Sequence, residues 1–420
     1  LRLWTPGVVI ADHHKGFPSG LSGIEASALP GRLGVLSDGF RTPLLVLKQR
    51  DLDHNLAAME NFCAKHDLSL SPHVKTTMSP EIAQAQVSHG AWALTLATST
   101  QLAAFRRLGA DRLLLANELV DPGAIEWLIT ELDHDPGFTC YCYADSVDGV
   151  EVLERQLGRR PRSRRLPVIV ELGVPGGRTG VRGVEAAVAL AGRIAGSPHL
   201  ELAGVGGFEG VIPGRLDGRL LDEVRGWLGE LKELADEVFA RHAGDGEFVV
   251  TAGGTQYIEL VAGELAPPWR NGRPIRVVLR SGCYVTHDSL GYETYRQLLA
   301  TEYPLMSLRP SLELWSRVLS RPEPDLAIVD FGKRDTGVDA GFPVPLHRIR
   351  RGTSTLEKAP SGEVVAVNDQ HAYVRGVHDL EVGDRLAFGV SHPCTTWDKW
   401  RVVPIVDEEY VLTGVAQTLF

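Results

Sequence analysis

The chain has 420 residues, 44% hydrophobic and 23% charged, which suits one large soluble domain plus a smaller one. A net charge of −10 leaves no broad basic face to neutralise phosphates, so a nucleic-acid partner is not expected. No apolar run is long enough to span a membrane, no leader-like start occurs, and the five cysteines form no paired framework, so a reducing cytoplasm is the expected setting.

In chain order, the first 45 residues are irregular and glycine-rich and are expected to pack on a second domain. From residue 46 to about 295, helical stretches with 3.6-residue apolar spacing alternate with short apolar runs. The helical stretches are 52–65, 81–88, 99–108, 124–132 and 184–195. The apolar runs are 68–76, 92–98, 112–117, 139–145, 167–174, 202–210, 247–255 and 275–285. Eight such runs separated by helices predict an α/β fold, a (β/α)8 barrel. An open doubly wound sheet remains the alternative, because strand count alone does not establish closure. The basic run 159–165 reads as a solvated loop. Beyond 295 the pattern changes to short Val- and Ile-rich runs at 326–331, 362–367, 372–374 and 401–406, bounded by Gly, Asp and Pro. They predict a mostly antiparallel β-domain over 296–420.

In a barrel, functional groups gather where strands give way to loops. Polar and glycine-rich clusters fall at such ends, at 73–77, 117–118, 171–179, 208–210, 253–255 and 282–288. Lys75, in Ser-Pro-His-Val-Lys-Thr-Thr, ends the first barrel strand. Partial desolvation there favours the neutral amine that attacks an aldehyde, although an isolated lysine also serves as an ion-pair partner. Gly253, Gly254 and Thr255 close the seventh strand, where backbone N–H groups and a hydroxyl can meet a phosphate, or simply make a turn. Arg178, in Pro-Gly-Gly-Arg-Thr-Gly, can hold a phenolate or carboxylate, or pair with Glu171. His392 and Cys394, two apart on an expected extended strand, point to one side and offer an imidazole and a thiolate to a single ion. A buried cysteine beside a structural histidine is the plainer alternative.

Taken in order, these segments resemble the D-serine dehydratase and D-threonine aldolase family, pyridoxal phosphate enzymes of the alanine racemase barrel type. The matching stretches include Thr42-Pro-Leu-Leu-Val-Leu, Pro72-His-Val-Lys-Thr, Gly176-Gly-Arg-Thr-Gly, Gly253-Gly-Thr, Leu279-Arg-Ser-Gly-Cys-Tyr, Gln370-His, Val382-Gly-Asp and His392-Pro-Cys. The form Pro-His-Val-Lys-Thr-Thr-Met looks like the bacterial amino-acid deaminase branch. The resemblance implies that Lys75 carries pyridoxal 5′-phosphate and that Gly253, Gly254 and Thr255 hold its phosphate. It places Arg178 beside the cofactor's 3-hydroxyl, makes His392 and Cys394 the metal pair, and sets Tyr284 near the substrate. Two positions depart from the pattern: Thr77 stands where the family often has His, and Phe208 where it often has Tyr.

The family's aldolases resemble His-x-Asp at the metal pair and its dehydratases His-x-Cys, so Cys394 favours a dehydratase of D-3-hydroxy amino acids with zinc as the metal. The substrate would be D-serine, D-threonine or D-threo-3-hydroxyaspartate, giving a 2-oxo acid and ammonia. An aldolase yielding glycine and an aldehyde is the first alternative. A racemase using Tyr284 or His287 is the second, and a non-catalytic cofactor carrier a third. A homodimer is expected, as in related barrels.

Overall fold

The structure, a computed structural model, describes residues 2–37, 39–159, 164–242, 247–267, 269, 275–300 and 303–420. Strand β1 (Leu44–Lys48) precedes the helix Gln49–His66, after which eight parallel strands follow. These are β2 (Ser69–Leu70), β3 (Leu94–Leu96), β4 (Arg112–Glu118), β5 (Thr139–Ala144), β6 (Leu166–Leu172), β7 (Leu200–Gly207), β8 (Phe248–Ala252) and β9 (Ile275–Leu279). Each pairs with the next in chain order from β3 to β9, and β9 pairs with β2. The ring closes between β2 and β3: Trp92 N donates to Leu70 O at 2.7 Å, Thr95 N donates to Pro72 O at 2.9 Å, and His73 bridges Thr95. The sheet is therefore a closed barrel rather than an open one. Its strands are almost wholly buried because helices cover the outer face while side chains fill the inner one.

Local chemistry starts the helices where the chain needs them. Ser79, Thr98, Asp121 and Ser146 each accept a backbone N–H of the first turn, and Pro80 and Pro122 stand at the first helical position. The five expected helices are present as Gln49–His66, Pro80–Ser88, Ser99–Arg107, Pro122–His134 and Val184–Ala195. The structure adds Val147–Leu157, Gly218–His242, Ile258–Glu264 and Gly291–Leu299. Gly218–His242 buries a stripe that includes Leu220, Val224, Trp227, Leu231, Leu234 and Val238, a clear helical period.

The second domain is built on β10 (Leu312–Glu323), which pairs antiparallel with both β1 and Arg385–Gly389. Its far end bends through two register shifts to pair with Leu326–Val329. The only parallel pair that the described residues show in this domain joins β1 to Val402–Val406. β1 thus belongs to the second sheet, and the chain enters the barrel only at the helix starting with Gln49.

The N-terminal segment lies on that sheet, with Ile10, Phe17 and Val35 buried against Trp315, Val402 and Leu412. Gly31 N donates to Leu412 O at 2.7 Å and Val35 N to Tyr410 O at 2.9 Å. Burying side chains such as Ile10 and Phe17 contributes about 1.5–3 kcal/mol each. The first residues reach further, since Trp4 N donates to Leu108 O of the barrel at 2.8 Å. Of the basic run, residues 160–163 lie outside the described residues, while Arg164 donates to the carbonyls of Leu132 and Phe138. Among the described residues no helix is long and apolar enough to cross a membrane.

Candidate active site

A cavity of about 340 Å³ sits where the barrel strands end, within the size range of small-molecule sites. Every one of the six polar or glycine-rich clusters expected at strand ends contributes a lining residue: Lys75, Asn117, Arg178, Phe208, Gly254 and Cys283 are examples. The β-domain adds His392 and Cys394, so the two domains share one cavity.

Lys75 lies in the tight turn Val74–Thr76 that follows β2. This turn packs against the loop after β9, where a Cβ on Gly282 would sit 2.4 Å from His73 O. Only glycine permits that approach, and it sets Cys283 beside the Lys75 turn. His73 is half-buried with its Nδ1 enclosed, and its imidazole is held neutral, first by desolvation and then by the positive charges of Lys75 and Arg280.

The loop after β8 has Gly253 at φ +93°, a conformation that glycine adopts readily. A Cβ on Gly254 would meet the Phe208 ring at 2.7 Å. Gly253 and Gly254 line the cavity, but their amides are committed elsewhere: they donate to the buried Glu209 carboxylate at 3.1 and 2.7 Å. Thr255 and Gln256 are the loop residues left to face a ligand. Arg178 lies over the Phe208 ring, 5.0 Å from its centroid, so Phe208 places a cationic group even though it cannot donate a hydrogen bond.

Among the lining residues, Tyr143 Oη, Glu171 Oε2 and His73 Nδ1 are buried atoms that make no hydrogen bond within the chain. Buried polar atoms are ordinarily paired, so Tyr143 Oη and His73 Nδ1 face a site that a polar ligand completes, whereas the Glu171 carboxylate has the Glu118 carboxyl within hydrogen-bonding reach. Arg280, also buried, donates to Thr251 Oγ1 at 2.6 Å and lies 5.7 Å from the Tyr143 ring centroid. Beside Glu171, Glu118 is pushed up to about 8, first by burial and then by the neighbouring Glu171 charge.

The third feature is a group of soft donors. Cys283, His392 and Cys394 present ligand atoms that all lie within 4.8 Å of one another. His392 is not on an extended strand as expected. It caps the short helix Pro393–Trp397, which Pro393 initiates, and Cys394 sits in that helix's first turn. Side chains two apart converge here because the chain turns, not because it is extended. His392 Nδ1 bonds Asp339 Oδ2 at 2.6 Å, which leaves Nε2 for an ion. Asp339 is held in turn by Thr395 Oγ1 at 2.7 Å.

Tyr284 does not reach the cavity. It is buried in the core, where its hydroxyl accepts from Gln86 Nε2 at 3.2 Å. The tight turn Cys283–Val285 rotates successive side chains by roughly a third of a circle, so Cys283 faces the cavity and Tyr284 faces away. Two tyrosines line the site instead, Tyr143 and Tyr292; Tyr292 lies on Gly291–Leu299, and its ring stacks at 6.0 Å on His287. Sequence reasoning missed Tyr292 and Cys283 as site residues. Cys283 stood within a marked strand-end cluster, whereas Tyr292 sat on an unrecognised helix.

These residues fit both groups that the sequence pointed to. A lysine, a glycine-tight loop, a neighbouring arginine and unpaired buried polar atoms suit an aldehyde cofactor that bears a phosphate and a ring. Two thiols and an imidazole suit a soft divalent ion.

Comparison with known proteins bears on the same two parts of the chain. Residues 47–237 match the alanine racemase N-terminal domain family, and residues 311–406 match a serine dehydratase domain family. The chain is 26% identical to a D-threonine aldolase of Arthrobacter sp over 362 residues, covering 85% of this chain and 86% of that one. It is 26% identical over 383 residues to a 3-hydroxy-D-aspartate aldolase of Paracoccus denitrificans, covering 86% and 92%. Among solved structures, the D-threo-3-hydroxyaspartate dehydratase from Delftia sp. HT23 superposes with a TM-score of 0.71 at 20% identity, over 92% of this chain and 99% of that one.

Proposed function

We propose that this chain, whose two parts match the alanine racemase N-terminal domain and serine dehydratase domain families, is a pyridoxal phosphate- and metal-dependent lyase of D-3-hydroxy amino acids. The observation that carries the reading is convergence: Lys75, the Gly253–Gln256 loop, Arg178 and the pair His392 and Cys394 all line one cavity. The relatives named above act on D-threonine and 3-hydroxy-D-aspartate, which share an amino acid core with a hydroxyl on Cβ.

In this reading Lys75 holds the cofactor through its amine, Thr255 and Gln256 bind its phosphate, and Arg178 meets an oxygen on its ring. When bound, the cofactor draws electrons from Cα and so acidifies the α-proton, while a divalent metal on His392 and Cys394 polarises the β-hydroxyl. Once free, the Lys75 amine accepts the α-proton. His73, held neutral, adds no second cation beside Lys75. The Phe208 ring shields one side of the loop from water. Five free cysteines suit the reducing cytoplasm proposed for it.

Within the lyase class we favour the dehydratase, because a thiolate at position 394 takes the place of the carboxylate expected of an aldolase. The aldolase is the second reading, favoured by the names of both 26%-identical relatives. Incubating the protein, loaded with pyridoxal phosphate and zinc, with D-threonine separates them. The dehydratase yields 2-oxobutyrate and ammonia, and the aldolase yields glycine and acetaldehyde. In parallel, Lys75→Ala must abolish the visible absorbance of the bound cofactor. Retention of that band by the variant would remove Lys75 from its role.

A further inference from the structure

We propose that Cys283 is the third protein ligand of the metal, so that Cys283, His392 and Cys394 form a soft three-donor site with its fourth position open to the cavity. The inference rests on the reading above that a metal binds at His392 and Cys394. It adds a residue from the other domain, 111 positions before Cys394.

The placement of Cys283 is built rather than incidental. Its sulfur lies 3.0 Å from Cys394 Sγ, beyond a covalent S–S bond yet closer than two unbonded sulfurs ordinarily rest. Two thiolates on one tetrahedral zinc stand about 3.7 Å apart, so a shift of well under 1 Å seats the ion between them. The imidazole is oriented for the same point, because Asp339 occupies Nδ1 and Thr395 fixes Asp339. Thr76 Oγ1 accepts from Cys394 Sγ at 3.3 Å and lies 3.8 Å from Cys283 Sγ, so one hydroxyl contacts both sulfurs. Among the described residues this is the one group of three such donors that converges.

Three protein ligands of the type Cys₂His leave one tetrahedral position, the arrangement that catalytic rather than structural zinc sites use. All three donors line the cavity that also holds Lys75, so the free position faces the substrate's space. Two thiolates also decide the metal. They select zinc, or cobalt as its stand-in, over magnesium and manganese, which prefer oxygen ligands. They cancel the dication's charge, which suits a site shared with a lysine.

X-ray absorption at the zinc edge of the wild-type holoprotein counts the sulfurs directly. Two sulfur scatterers at about 2.3 Å are expected, with the remainder nitrogen or oxygen. Cobalt added to metal-free protein should show thiolate-to-cobalt charge transfer, and Cys283→Ser should lose about half that intensity. The variant should also bind zinc at least about tenfold more weakly in competition with a chromophoric chelator. A single sulfur in the wild type, with unchanged affinity in Cys283→Ser, would overturn the role of Cys283 and leave the His392 and Cys394 pair standing. Wild-type protein that retains its cofactor absorbance yet takes up neither zinc nor cobalt would overturn the metal reading as a whole. The wild-type sulfur count decides even if the serine variant misfolds.

Discussion

Glu209 occupies a position where a negative charge would ordinarily oppose a phosphate, yet it is fully buried and takes both glycine amides of the loop. Its role is to hold the loop in shape, turning Gly253 and Gly254 inward so that Thr255 and Gln256 face outward. Removing it leaves the buried Gly253 N–H and the half-buried Gly254 N–H unpaired, the first costing about 1–3 kcal/mol and the second less. Glu209→Ala should therefore weaken pyridoxal phosphate binding to the apoprotein by on the order of tenfold or more, read from an absorbance titration. Glu209→Gln, which keeps one acceptor oxygen, should lose less. Stronger binding in either variant would mean that the carboxylate competes with the phosphate instead. A second residue-scale expectation concerns Glu118, pushed up to about 8 by burial and by Glu171. In the fold it binds a proton that the unfolded chain releases above its ordinary carboxylate range. Its protonated form therefore favours the fold at low pH, and that advantage is lost as pH rises through about 8. The melting temperature of Glu118→Gln should gain on wild type between about pH 5 and pH 9, and a constant difference would refute the assignment.

At the scale of elements, β7 shows why the barrel tolerates no casual change. A Cβ on Gly204 would lie 1.9 Å from Val249 O on β8, and the β6–β7 pairing shifts register just there. Backbone cannot yield as a side chain can, so Gly204→Ala should cost about 3 kcal/mol in denaturant unfolding, the upper end for overpacking. A loss below about 0.5 kcal/mol would mean that the strand relaxes. The sequence carried most of this architecture, because each buried parallel strand is a continuous apolar run and each capped helix starts at Ser, Thr or Asp. All eight barrel strands were legible for that reason. β1 and β10 were not assigned to a strand, since pairing partners far apart in sequence leave no local mark on either. The site was legible in proportion to its locality. Lys75 and the Gly253–Thr255 loop stood out at strand ends, whereas Glu209, Tyr292 and Asp339 acquire meaning only from neighbours that the fold supplies. Tyr284 was misplaced because a one-residue step in a tight turn reverses which side chain meets the cavity.

At the scale of the whole molecule, the chain threads its domains together instead of placing them end to end. β1 precedes the barrel in the chain, yet it sits between β10 and Val402–Val406, which both follow it, so the second sheet is assembled from both sides of the barrel sequence. The residues proposed to hold the metal repeat this pattern, with Cys283 from the barrel and His392 and Cys394 from the second domain. A ligand that binds only the folded arrangement stabilises by mass action, about 2.7 kcal/mol at a hundredfold excess over its dissociation constant. With an unfolding entropy of about 2.1 cal/mol/K per residue, a chain of 420 residues should rise by about 3 °C in melting temperature. Because the ion joins the two domains, the rise should come as a shift of one calorimetric transition, not as movement of one component of two. Cys283→Ser should reduce the shift without splitting the transition, because β1 still ties the domains together. A zinc-dependent shift confined to a separate second-domain transition would show that the barrel contributes no ligand and that the two domains unfold apart.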